Sequence, residues 1–340
     1  MALSNNAAFL SASRATPITV ASVPYPTVGK GEVIVKVAAV AVNPMDWMIQ
    51  ALGENLFPWL QYPLTMGTDV AGTVVEVGEG VTNVKAGDRV LGLNAGFDSR
   101  SGAFQNYCAL MAKIVCLIPD DLSFADASVL PLGLGTAASG LFQKDYLALD
   151  YPNAGETKPN GKTLLVWAGA SSVGSNAIQL AAAAGYEVFT TASPKNFDYC
   201  KKLGASRVFD YNSKAITQEL LDAFKGKTCA GAYAIQPASA DIVFEVVSKS
   251  EGAKFVATAF QVPEKTPEEI EAKMVWGGSL KDNEVASIIF DKFLPAALAI
   301  KKYQCAPPAS VVGQGLEKVQ EALDKSKQGG VSAQKLVVTL

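Results

Sequence analysis

The hydrophobic rhythm of the chain changes near residue 125. Before that point apolar residues recur at every second position. Val33, Val35 and Val37 do so in the segment 31–37 and predict a strand. Segment 67–78 sets Val74, Val75 and Val77 between glycines, and 84–92 places Gly87 and Asp88 as a turn ahead of another short strand. Short strands separated by glycine turns predict a compact antiparallel barrel. Segment 124–140 is rich in Ala, Leu and Gly, interrupted by Pro131, and 149–161 reads as a surface loop through Pro152, Gly155, Pro159 and Gly161. From there apolar strands alternate with amphipathic helices. Residues 163–168 form a continuous apolar run, as in a strand buried on both faces. Val173, Ala177, Leu180, Ala181 and Ala184 follow at helical spacing, Gly185 ends that helix, and 186–191 is the next strand. The cycle continues with a helix at 197–203, a strand at 207–210, a helix at 216–224, and strands at 230–235 and 254–257. Repeated βα units predict an α/β fold with a doubly wound parallel sheet.

Segment 335–340 returns to strand character but has no evident place in such a sheet. It is expected to rejoin the N-terminal barrel. That makes one domain discontinuous, 1–125 with 295–340, around a second at 126–294. Stretch 255–260 reads equally as an edge strand available for dimer pairing or as the last core strand, so monomer and homodimer are both compatible.

Composition narrows the chemistry. Of 340 residues, 49% are hydrophobic and 18% charged, a globular rather than disordered balance. A net charge of −3, from 29 basic and 32 acidic residues, argues against nucleic acid or an anionic membrane as the main partner and leaves a small molecule. The chain has no histidine, which removes histidine-ligated zinc, the Ser-His-Asp triad and any histidine general base. The five cysteines show no Cys-x-x-Cys spacing and read as reduced, buried thiols. The N-terminus has no secretory-signal pattern and no apolar run approaches membrane-spanning length, so a cytoplasmic location is the expectation.

Two segments carry cofactor chemistry. Residues 167–174 lie between a buried strand and an amphipathic helix, where a pyrophosphate meets helix N-terminal N–H groups. Gly169 suits the tight turn and Gly174 the close helix–sheet approach. Ser171 and Ser172 replace part of the strict glycine motif and add hydroxyls, next to Val173. The second strand ends in 191–196 without a carboxylate for a ribose 2′-hydroxyl. Ser193 and Lys195 offer a hydroxyl and a cation instead. That pair suits a 2′-phosphate and favours NADPH over NADH, although Pro194 also simply suits the first turn of a helix.

The segments Asn43–Trp47, Gly67–Gly72, Gly87–Val90, Gly102–Gln105, Leu130–Ala137, Trp167–Gly174 and Thr191–Asn196 are, in this order and spacing, similar to the medium-chain dehydrogenase/reductase superfamily. More narrowly the chain resembles the fungal zinc-free trans-acting enoyl reductase and CipB/ToxD-like group. The resemblance spans essentially the whole chain. It implies a GroES-like β-barrel catalytic domain plus a Rossmann domain, with the active site in a cleft between them. In zinc-dependent relatives the position of Asn43 is a cysteine, that of Thr68 a histidine, and a third ligand lies near Leu132. None is a ligand here, and 91–102 lacks the cysteines of the structural zinc lobe. The expectation is therefore no metal.

Without a Lewis acid, the chemistry implied is hydride transfer to an activated C=C bond, whose conjugated carbonyl spreads the charge over hydrogen-bond donors. Substrates of that kind are 2-enoyl thioesters, including carrier-bound ones, and enones. Quinone reduction, an NADPH-binding protein with little turnover, and a cofactor-assisted isomerase or cyclase are the alternatives. By the resemblance Asn43, Asp46 and Trp47 line the catalytic site. The tyrosine that some enoyl reductases carry shortly after this motif is missing, which leaves Tyr62 or water as proton donor. Thr136 is placed near the nicotinamide, Ser171, Ser172 and Val173 at the pyrophosphate, Ser193 and Lys195 at the 2′-phosphate, and Tyr211 at the phosphate or ribose edge. Ser332, Gln334 and Lys335 fall in a C-terminal segment reaching back to the cofactor.

Overall fold

In the computed structural model, which describes residues 4–55 and 57–340, the chain forms two units. Residues 1–3 of the N-terminal reading above lie outside the described residues. The first unit comprises residues 1–132, 290–299 and 305–340, and the second 133–289 and 300–304. The division thus falls after Leu132 rather than at residue 125. The chain re-enters the first unit at Phe290 rather than 295, apart from the short return at 300–304.

The first unit is built on the strand Glu32–Ala41. One edge of it pairs antiparallel with Asp69–Val77. Along the other edge lie Tyr107–Met111 and then Lys335–Thr339. Arg89–Leu93 and Val115–Leu117 extend the sheet beyond Asp69–Val77, and Ala309–Gln314 lies parallel to Lys335–Thr339. Asn5–Leu10 pairs with Thr19–Val23 and Leu64–Thr65 in a smaller antiparallel sheet. Val35, Val70, Val74, Val90, Phe104 and Leu110 close the core between them. The mostly polar helix Val319–Gln328 adds Val319, Ala322 and Leu323 to that core. These three positions share one helical face, which is why so polar a segment stays helical and docked.

The second unit is a six-stranded parallel sheet. Its order is Arg207–Asp210, Glu187–Ala192, Lys162–Val166, Thr228–Ala234, Phe255–Thr258, Glu271–Met274. Leu165, Phe189, Val243 and Val256 anchor its core. The order reverses direction at Lys162–Val166, and the crevice at the carboxyl ends of strands around such a reversal is where dinucleotides bind. Phe255–Thr258 is an interior strand. The edge belongs to Glu271–Met274. Among the described residues no helix is long and apolar enough to cross a membrane.

Candidate active site

In the first unit, sheet register gathers a buried polar group. Ala41 faces Asp69 on one edge of the central strand and Val337 on the other. Continued two residues, this antiparallel register brings Asn43 to Lys335. Asn43 has an extended backbone and precedes the helix Pro44–Leu52, with Pro44 in the first turn. Its N–H donates to Asp46 Oδ2 at 2.8 Å. Its side chain turns away from the helix. Nδ2 donates to Asp69 Oδ2 at 2.8 Å and to Thr68 Oγ1 at 3.0 Å. Lys335 Nζ lies 3.0 Å from Asp69 Oδ2 and donates to Asn43 Oδ1. The second Asp69 oxygen accepts the Leu132 N–H at 2.6 Å, in the first turn of the helix Pro131–Phe142. Asn43, Asp46, Asp69 and Lys335 are buried, and Thr68 is half-buried. Gly67, at φ +91°, sets this bend. A side chain there would strike the Phe104 ring.

The Asp46 carboxyl is pushed up to about 7, chiefly by burial and further by the charge of Asp69. The backbone hydrogen bond from Asn43, the charge of Lys335 and a backbone hydrogen bond from Gly67 pull the other way.

These donors do not fit a zinc ion. An amide and a hydroxyl stand at the two positions the resemblance matches to ligands, and a buried ammonium sits within hydrogen-bond reach of the amide oxygen. Among the described residues no cluster of three or more His, Cys, Asp or Glu side chains could hold a metal.

The other expected residues of this unit are placed differently from one another. Lys335 is set apart from Ser332 and Gln334. Those two are exposed, whereas the Lys335 side chain is 5% exposed and committed to Asp69 and Asn43. Tyr62 is not brought to the group. Its hydroxyl is buried without a hydrogen-bond partner near Gly53, at the far end of the helix that Asn43 begins. Nine residues of helix separate the two ends by about 13 Å. Trp47 packs, partly buried, against the barrel core one turn from Asn43.

In the second unit, the loop between Lys162–Val166 and the helix Ser172–Ala183 is shaped for an anion. Ser171 caps the helix: its Oγ accepts from Gly174 N at 3.1 Å and donates to Ala168 O at 2.7 Å. The N–H groups of Ser172 and Val173 find no acceptor among the described residues, as expected of an open first turn. Gly174 permits the close approach, since a Cβ there would lie 2.2 Å from Ala168 O. The left-handed residue of the turn is Ala168, at φ +66°, rather than Gly169. Gly169 is required for a different reason: a side chain would meet Thr190 Oγ1 at 2.2 Å. Ser172 Oγ is buried without a partner.

The strand Glu187–Ala192 ends in half-buried Ser193, which accepts from Asn196 Nδ2, and exposed Lys195. Tyr211 is exposed after Arg207–Asp210. Thr136 lies in the helix Pro131–Phe142, where its carbonyl accepts from Tyr233 Oη at 2.7 Å. An open helix N-terminus, two glycines needed for close approach, a serine hydroxyl without a partner among the described residues and the exposed Lys195 after the second strand together fit a dinucleotide.

Sequence reasoning passed over Asp69 and gave Thr68 no role beyond matching a missing histidine. The available signal was a Thr-Asp pair just ahead of the apolar residues 70–72, where a buried charge needs a partner.

Residues 29–120 match the alcohol dehydrogenase GroES-like domain, and residues 172–271 match the family described as zinc-binding dehydrogenase. The chain is 46% identical to the dehydrogenase pigH of Monascus ruber, over 99% of both chains. It is 37% identical to the trans-enoyl reductase himH of Aspergillus japonicus, over 99% of this chain and 98% of the relative. Among solved structures it is similar to an alcohol dehydrogenase superfamily protein from Novosphingobium aromaticivorans, with a TM-score of 0.79 at 26% identity over 99% of each chain.

Proposed function

The chain belongs to the medium-chain dehydrogenase/reductase superfamily, among fungal dehydrogenases and trans-enoyl reductases of secondary metabolism, and from that premise we propose that it is an NADPH-dependent, zinc-independent reductase of activated C=C bonds. Its substrate is a 2-enoyl thioester or an enone. The observation that carries this reading is the Lys335 ammonium held by Asp69 and Asn43, where a zinc-dependent relative would bring ligands together. In zinc-dependent relatives a Lewis acid acidifies the alcohol hydroxyl, and this group of side chains does not fit one. A conjugated C=C bond needs only hydrogen-bond donors at the carbonyl oxygen, where charge collects as an enolate. The trans-enoyl reductase activity named for a relative at 37% identity is of that class.

NADPH, when bound, supplies the hydride. The N–H groups of Ser172 and Val173 hold the pyrophosphate at the open helix N-terminus. Ser193 and Lys195 hold the 2′-phosphate, and the absence of a carboxylate after Ala192 spares it repulsion. With Tyr62 remote from Asn43, water protonates the α-carbon.

Steady-state assays with crotonyl thioester, an enone and a quinone, each with NADPH and NADH, test the reading. Turnover of the thioester or enone with NADPH is expected, with metal analysis finding no stoichiometric zinc. Lys195→Glu is expected to raise the KM for NADPH at least tenfold and leave that for NADH within about twofold, since only NADPH carries the 2′-phosphate. An equal loss with both cofactors rejects the role of Lys195. Oxidation of a secondary alcohol with zinc-dependent rates rejects the reaction class.

A further inference from the structure

We propose that Lys335, Asn43 and Thr68 form a directed hydrogen-bond relay, and that the Thr68 hydroxyl at its end is the donor to the carbonyl oxygen of the substrate. This rests on the reduction of an activated C=C bond argued above and names the residue that does the work of the missing Lewis acid.

The direction of the relay follows from its partners. Asn43 presents Oδ1 to the Lys335 ammonium and Nδ2 to Asp69 Oδ2. The reverse orientation would set the amide oxygen against a carboxylate and the NH2 against an ammonium, so the orientation is fixed. Nδ2 can only donate. Thr68 Oγ1, 3.0 Å away, must therefore accept from it, and the Thr68 proton has to point elsewhere. Among the described residues nothing accepts that proton. Thr68 is also the half-buried member of a group whose other members are buried, which makes it the member a ligand can reach.

Each bond in the series strengthens the next. An ammonium bonded to Oδ1 polarises the amide and makes Nδ2–H a better donor. An oxygen that accepts a strong hydrogen bond in turn releases its own proton more readily to an acceptor. Asp69 holds Lys335 and Asn43 in register, and the Leu132 N–H fixes Asp69. Lys335 acts through Asn43 and is a positioning residue. Thr68 touches substrate. In the reaction a hydride bonds to the β-carbon, the C=C electron pair moves onto the carbonyl oxygen, and that oxygen is held by Thr68 O–H. Water then gives the α-carbon a proton, leaving hydroxide, while the reduced cofactor is oxidised by the two electrons of the hydride.

The test uses the holoprotein and the variants Thr68→Val, Thr68→Ser, Lys335→Met and the double variant Thr68→Val/Lys335→Met. On an enone, Thr68→Val is expected to lower kcat about 100-fold, the scale of one lost oxyanion donor, with KM and NADPH affinity nearly unchanged. Thr68→Ser keeps the hydroxyl and is expected to stay within about threefold. The double variant is expected to be no slower than Thr68→Val, because residues acting in series do not add. Additive losses, or wild-type kcat in Thr68→Val, overturn the relay.

A second readout does not need turnover. The carbonyl band of a 13C-labelled butyryl thioester bound beside NADP+ is expected at lower frequency in the wild type than in Thr68→Val. Equal bands overturn the relay even in an enzyme that reduces enones. A shifted band in a protein that reduces none keeps the donor and rejects the reaction.

Discussion

Asp46→Asn takes a titrating group out of the buried cluster while leaving an oxygen to accept the Asn43 N–H. The carboxyl is fully buried, and its folded value of about 7 compares with 3.8 for an unperturbed aspartate. The folded protein therefore binds this proton more tightly than the unfolded chain does. The group favours folding most below the unfolded value, and its contribution is lost as pH rises through the interval up to about 7 and beyond. Integrating the two titrations gives a penalty of about 2 kcal/mol at pH 5 and about 4 kcal/mol at pH 8. Asparagine carries no such penalty at either pH. The variant's advantage over the wild type should accordingly grow by about 2 kcal/mol between pH 5 and pH 8. Titrating groups remote from Asp46 cancel in that difference, as does any fixed cost of replacing the carboxyl by an amide. Native-state hydrogen exchange of the strand Asp69–Val77 reports the opening energy of this unit without requiring the whole chain to unfold in one step. A variant-minus-wild-type difference that is the same at both pH values, or that shrinks as pH rises, would refute the assignment of Asp46 as a buried group held partly protonated.

Gly174→Val should crowd the approach of the helix Ser172–Ala183 to the turn, where a Cβ would already lie 2.2 Å from Ala168 O. A loss of about 1–3 kcal/mol of stability is expected, with NADPH affinity down at least tenfold by titration of intrinsic fluorescence. Unchanged affinity would put the phosphates elsewhere. Tyr62→Phe should leave kcat unchanged and stability equal or raised by up to about 1 kcal/mol, because it removes a buried hydroxyl that has no partner. A drop in kcat beyond tenfold would restore Tyr62 as proton donor.

How much of this was legible in sequence depended on whether an element announces itself locally. The parallel sheet did, because a strand such as Lys162–Val166 is buried along nearly its whole length and reads as an apolar run. Thr19–Val23 and Glu271–Met274 did not. Both are largely exposed, and an exposed strand has no inner face to impose alternation. The helix Val319–Gln328 was hidden for a related reason: three apolar positions anchor it, and the other seven carry charge, amide or hydroxyl. The phosphate loop was legible in place but not in detail. Glycine at 169 suggested the tight turn, in which the left-handed residue is Ala168 and Gly169 gives room beside Thr190.

The buried polar group was illegible for a deeper reason. Its members lie at 43, 46, 68–69 and 335, and no local pattern links them. What links them is one strand shared by two partners, with Ala41 opposite both Asp69 and Val337. A slip of one residue in either pairing would turn Asp69 or Lys335 to the other face of the sheet and leave a buried charge unpaired. A metal ion can recruit its own ligands and tolerate some freedom in the chain around them. An ammonium cannot, because it needs its carboxylate and its amide delivered by the fold to within hydrogen-bond distance. On this argument the return of Lys335–Thr339 to the first sheet is part of the chemistry, and the discontinuity of that unit is how a chain without histidine brings a fixed positive charge to the site.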